Sequence, residues 1–108
     1  MDDNRVFARM KARFPLRYLD PVSGKEGEAE TVDISANGLG LVTRSNLSPN
    51  TSLEMWLRIP DQHAPLYTRG AVMWSKPSGS PVQTRLGVKL EKAELMGLAR
   101  ILWLRRGA

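Results

Sequence analysis

A two-residue hydrophobic period runs through most of this chain and restricts it to a β architecture. Leu53, Met55, Leu57 and Ile59 alternate with Glu54, Trp56 and Arg58, and Val82, Thr84, Leu86, Val88 and Leu90 alternate with Gln83, Arg85, Gly87 and Lys89. Side chains one apart on an extended chain point to opposite faces, so this spacing buries one face and wets the other. The same pattern, less regular, recurs over 14–19, 28–34, 39–43 and 66–74. Turn-forming residues separate these runs at Asp20-Pro21-Val22-Ser23-Gly24, Ala36-Asn37-Gly38, Leu47-Ser48-Pro49-Asn50, Pro60-Asp61 and Pro77-Ser78-Gly79-Ser80-Pro81. Six short strands with hairpin-length links allow an antiparallel barrel or a sandwich. The expected arrangement is a small, closed six-stranded barrel, because closure leaves no long unpaired edge in a domain of 108 residues.

Each end of the chain reads differently. Residues 1–12 have no sustained apolar period and pass from acidic to basic, the pattern of a flexible N-terminal arm, so the barrel is expected over 13–91. Beyond Leu90 the period becomes helical, and 92–106 is expected to form a C-terminal α-helix of the same domain. Leu95, Leu98, Ala99 and Leu102 should form its apolar stripe and pack on the barrel. Gly97 costs such a helix on the order of 1 kcal/mol relative to alanine, so packing must hold it in place.

Charge narrows the choice of partner. Sixteen lysines and arginines against eleven acids give a net charge of +5, which favours an anionic ligand. The excess is concentrated: five basic residues and no acid lie between Arg5 and Arg17, and four basic residues and no acid between Gln62 and Leu90. With no cysteine there is neither a disulfide framework nor a thiolate metal site. The start Met-Asp-Asp-Asn lacks the order of a signal peptide, and the apolar runs are too short to span a bilayer, so a soluble cytoplasmic protein with no membrane insertion is expected.

Two polar stretches carry the chemistry, Arg9-Met10-Lys11-Ala12-Arg13 and Asp33-Ile34-Ser35-Ala36-Asn37-Gly38. Guanidinium forks match phosphates or the O6 and N7 acceptors of guanine, a carboxylate can accept from guanine's N1 and N2 hydrogens, and a glycine permits close backbone approach. Taken alone, arginines on an arm are solvated charges, and Asp-x-Ser-x-Asn-Gly is an ordinary hairpin turn.

Together and in this order, the stretches resemble the PilZ domain family, which pairs Arg-x-x-x-Arg in an N-terminal arm with Asp/Asn-x-Ser-x-x-Gly on a barrel. The placement of Arg13-Phe14-Pro15-Leu16 selects Arg9/Arg13 over the alternatives Arg5/Arg9 and Arg13/Arg17. Gly70-Ala71-Val72-Met73-Trp74 and Arg85-Leu86-Gly87-Val88-Lys89-Leu90 look like the family's late strand pair, so the resemblance covers about residues 5–91. It implies a receptor for the bacterial second messenger cyclic di-GMP, with Arg9, Arg13, Asp33, Ser35 and Gly38 as ligand residues. The arm would order on binding and signal to a downstream effector protein. Arg5, Trp74 and Arg44 form a second set of candidates. Trp74 would stack on a base, although a tryptophan in a strand is more often a core residue.

Other function classes fit less well. The single histidine, His63, lies in a loop without a nucleophile-and-base motif, so no catalytic residues and no enzyme activity are expected. No spacing suggests a metal or a bound cofactor. A basic barrel could bind single-stranded nucleic acid, but its three tryptophans, two tyrosines and two phenylalanines are scattered over different elements, which argues against nucleic acid as a partner. A PilZ-like protein-interaction module that binds no nucleotide is the remaining alternative, and the intact motif residues argue against it.

Overall fold

The computed structural model describes residues 9–79, 82–93 and 95–107. Seven strands, β1 (Met10–Lys11), β2 (Pro15–Leu19), β3 (Glu26–Ile34), β4 (Gly38–Thr43), β5 (Ser52–Leu57), β6 (Leu66–Pro77) and β7 (Thr84–Leu90), precede one helix, α1 (Leu95–Gly107). All strand pairs are antiparallel, in the order β1-β3-β2-β5-β6-β7-β4, and β4 returns to β3. That last pairing closes β2 to β7 into the expected six-stranded barrel. Each of the six predicted strands is present, although β7 starts two residues later than expected, where its pairing with β6 begins at Thr84, and Val82 is exposed.

The extra strand, β1, lies within the segment expected to be an arm. It continues the line of β2 along β3: β2 pairs with Glu26 to Glu30, while Met10 and Lys11 pair with Ile34 and Asp33. The buried Thr31 stitches the gap between them. Its Oγ1 accepts from the Phe14 amide at 2.7 Å and donates to the Ala12 carbonyl, and its own amide donates to the Phe14 carbonyl at 2.9 Å. A buried hydroxyl with both roles filled incurs no desolvation penalty. These bonds hold the stretch from Ala12 to Phe14 against β3.

Inward positions of every barrel strand meet in one core that includes Leu16, Tyr18, Leu41, Leu53, Met55, Leu57, Val72, Leu86 and Val88. The alternation holds on β5, where Leu53, Met55 and Leu57 are buried and Trp56 stays on the outer face, its ring centroid 5.4 Å from that of Tyr67.

The helix packs on the barrel, but two residues of the expected stripe lie outside that contact, and the side chains of the other two, Leu95 and Leu98, lie outside those described. Gly97 and Ile101 are buried and Leu104 is half-buried, whereas Ala99 and Leu102 are exposed and Trp103 is 75% exposed. Apolar residues occur nearly all round this helix, so spacing alone does not select a face; a polar clamp helps fix it. Arg100 donates from Nε to Asp61 Oδ2 at 2.6 Å, and from Nη2 to Asp61 Oδ1 at 2.7 Å and the Ala64 carbonyl at 3.0 Å. Among the described residues no helix is long and apolar enough to cross a membrane.

This clamp gives the fold a pH signature. Hydrogen bonds from Arg100 hold the Asp61 carboxyl well below the usual carboxylate range, opposed by partial burial. A lowered folded-state value means the pair stabilises the fold fully above the unfolded carboxylate value of about 4 and loses that contribution as pH falls further. The melting temperature of Arg100→Ala should therefore lie below wild type by a constant margin from about pH 5 to 8, and the margin should shrink below about pH 4. A margin independent of pH down to about 2 would contradict the assignment.

Candidate functional site

Strand alternation, applied without interruption, would turn two chemically informative residues into the core. On β3, Ala29 and Thr31 face inward, which would put Asp33 inside; on β6, Thr68, Gly70 and Val72 face inward, which would put Trp74 inside. The register breaks at both places, between Thr31 and Asp33 against β4 and between Val72 and Trp74 against β7. Each bulge adds one residue to its strand, Val32 or Met73, and so reverses the inward–outward phase of the residues beyond it. Asp33 and Trp74 both turn outward, onto the same face of the barrel.

They stand at the two ends of one cross-strand row. Asp33 pairs with Gly40, Gly40 with Gly87, and Gly87 with Trp74, a row running β3-β4-β7-β6. The two glycines between them leave the floor bare. A Cβ at Gly40 would come within 2.7 Å of Asp33 Oδ1, and one at Gly87 would collide with the Trp74 indole, so both side chains lie folded over glycine backbone. Trp74 remains 41% exposed, with the Lys76 ammonium 5.1 Å from its ring centroid.

Beside this row lies a cleft of about 240 Å³, lined by Arg9, Ser35, Asn37, Gly38, Met73, Trp74, Gly87, Val88 and Lys89. Arg9 Nη1 donates to Asp33 Oδ1 at 2.6 Å, with the arginine side chain 52% and the aspartate 20% exposed. The turn from β3 into β4 is held by Ser35. Its amide donates to the Gly38 carbonyl at 2.9 Å, and its Oγ accepts from the Gly38 amide at 3.1 Å. Gly38 itself does not have a positive φ; what requires glycine there is space, since a Cβ would sit 2.9 Å from the Val88 carbonyl and 3.5 Å from Arg9 Nη2. Arg9, Arg85, Lys89 and Lys76 make the surroundings basic, with Asp33 the carboxylate set among them.

Of the residues singled out from sequence, the fold therefore gathers Arg9, Asp33, Ser35, Gly38 and Trp74. Arg13 is placed elsewhere: its Nη2 donates to Glu30 Oε1 at 2.7 Å, and it lines a separate groove with Phe14, Ile101 and Leu104. Arg44 is exposed just past the far end of β4, six residues and about 20 Å of extended chain from Gly38. Arg5 lies outside the described residues. Sequence reasoning passed over Gly40, Lys76, Arg85, Gly87 and Lys89 as site residues. The signal was present in the outward set Arg85-Gly87-Lys89 of the last strand, where a bare glycine sits between two cations.

The closed barrel with its short terminal helix defines a fold class shared with solved structures. Bacillus subtilis inhibitor of motility (MotI/DgrA) superposes with a TM-score of 0.71 at 20% identity over 94% of this chain and 50% of its own. K. pneumonia MrkH gives 0.66 at 19% identity over 100% and 53%, and the MrkH–c-di-GMP complex gives 0.64 at 14% over 94% and 49%. The chain thus spans about half the length of these structures. No curated protein matches it by sequence. The PilZ domain family model matches residues 3–103, and the chain belongs to that family.

Proposed function

We propose that this chain is a cytoplasmic receptor, not an enzyme, that binds cyclic di-GMP in the cleft between Arg9, the Ser35–Gly38 turn and Trp74. The observation that carries this reading is the row Asp33-Gly40-Gly87-Trp74, which sets a carboxylate and an indole on one open face beside Arg9. The complex of MrkH with c-di-GMP supports the choice of ligand. Asp33 would accept from the N1 and N2 hydrogens of guanine, and Arg9 would meet a phosphate or the O6/N7 edge. Ser35 would add a hydroxyl hydrogen bond, and Gly38 would let the ligand approach the backbone. A base stacked on Trp74 would contribute about 1 to 3 kcal/mol.

Because Arg13 is engaged by Glu30 outside the cleft, the arginine pair we favour for the ligand is Arg5 with Arg9. Arg13→Ala should then change affinity by less than about threefold, while Arg5→Ala should weaken it by about tenfold or more. The opposite ranking would restore Arg9/Arg13 as the ligand pair.

Signalling would use the arm. The described part of the arm is held at its outer end by the two-residue β1 and the Arg9–Asp33 bridge. A dianionic ligand gripped from both sides would order the arm over the barrel and present a surface that an effector protein reads. Calorimetry with cyclic di-GMP, beside GMP and a short single-stranded oligonucleotide, tests the whole reading. Tight binding of the cyclic dinucleotide alone is expected. Absence of heat with it would favour a protein-interaction module, and heat with the oligonucleotide a nucleic-acid binder. Quenching of Trp74 fluorescence on saturation, lost in Trp74→Phe, should accompany the binding.

A further inference from the structure

The Asp33 carboxylate faces a second cation. While Arg9 holds Oδ1 at 2.6 Å, Arg85 Nη2 stands 3.8 Å from Oδ2. The two arginines come from unlike places. Arg9 immediately precedes the two-residue β1, whereas Arg85 lies on β7, flanked by β4 and β6 in the barrel wall. Gly40, which carries no side chain, lies between Asp33 and Gly87, and Arg85 is two residues along β7 from Gly87.

Resting on the ligand reading above, we infer that Arg85 is a positioning residue that takes over Asp33 when Arg9 turns to the ligand. In the free chain the carboxylate that would recognise guanine and the arginine that would meet a phosphate neutralise one another. Binding has to separate them. A half-buried carboxylate left without a cation would resist that separation, and Arg85 closing from 3.8 Å to hydrogen-bond distance supplies the replacement charge. One carboxylate oxygen would then stay with Arg85 while the other faces the base. Arg85 also repels Arg9 across the shared carboxylate, which keeps the Arg9 bridge exchangeable.

Two measurements test this, one of them without ligand. In the free protein, removing the competing cation by Arg85→Ala should slow solvent exchange of the Arg9 Nη1 hydrogens, the ones that bond Asp33, read by side-chain ¹⁵N NMR. Unchanged or faster exchange overturns the sharing of Asp33. In calorimetry, Arg85→Ala should weaken cyclic di-GMP binding about fivefold to tenfold, Arg85→Lys should restore part of the loss, and in an Asp33→Asn background the same Arg85→Ala change should cost less than about twofold. An undiminished effect in that background would mean that Arg85 acts on the ligand directly, and the positioning role fails. If the wild-type protein does not bind cyclic di-GMP at all, the receptor reading fails, while the exchange measurement still decides whether Arg85 competes for Asp33.

Discussion

Asp33→Ala is expected to weaken cyclic di-GMP binding by about a hundredfold or more, a loss of about 3 kcal/mol, with the melting temperature nearly unchanged. Two terms combine. The carboxylate would lose its charge-assisted hydrogen bonds to guanine, each worth about 1.5 to 3 kcal/mol. Opposing this, the bridge between Arg9 Nη1 and Asp33 Oδ1 at 2.6 Å no longer has to be broken, which returns a smaller part of the loss. Stability should hold because the substitution removes the half-buried carboxylate and leaves Arg9, whose side chain is 52% exposed, to water; a pair open to solvent on one side contributes about 0 to 1 kcal/mol to folding. Arg9→Ala should produce a loss of similar size. Calorimetry paired with thermal melts separates the terms: a large fall in melting temperature would make Asp33 a structural residue, and a loss under about threefold would remove it from the site.

The second large effect belongs to the fold. Leu41 is fully buried on β4, the strand that closes the barrel by pairing with both β3 and β7. Leu41→Ala should cost about 3 kcal/mol, the lost transfer energy plus a cavity that a closed barrel cannot readily collapse. Against a total stability of about 5 to 15 kcal/mol this is a substantial fraction. The same variant reports on function, since a ligand that binds only the folded state at a hundred times its dissociation constant returns about 2.7 kcal/mol. Urea unfolding of Leu41→Ala with and without cyclic di-GMP should show that recovery, and GMP at the same concentration should not. Equal recovery with both would point to nonspecific anion binding.

Much of the architecture was legible because hydrophobic period is a local property. Leu53, Met55 and Leu57, or Leu86, Val88 and Leu90, declare a strand and its inner face without reference to any neighbour, and the structure buries all six. The helix shows the limit of that reasoning. Ala99, Ile101, Leu102, Trp103 and Leu104 offer several apolar faces, and the one that packs includes Ile101 and Leu104, next to Arg100 in its clamp on Asp61, a residue 39 positions earlier.

Legibility of the candidate site divides in the same way. Ser35 and Gly38 could be placed from sequence because a hairpin turn brings near neighbours together. The placing of Arg9 against Asp33 and of Arg13 against Glu30 comes from the antiparallel register of the chain around β1 and β2 along β3, and four residues of spacing do not reveal it. The amino-acid order by itself determined the six strands, the inner faces of the regular ones, the excess of positive charge and the groups available to a ligand. Only the tertiary structure decided that Asp33 and Trp74 share the outer face, because a bulge exists only between paired strands. The residues Val32 and Met73 that reverse the phase are extra only when counted against β4 and β7.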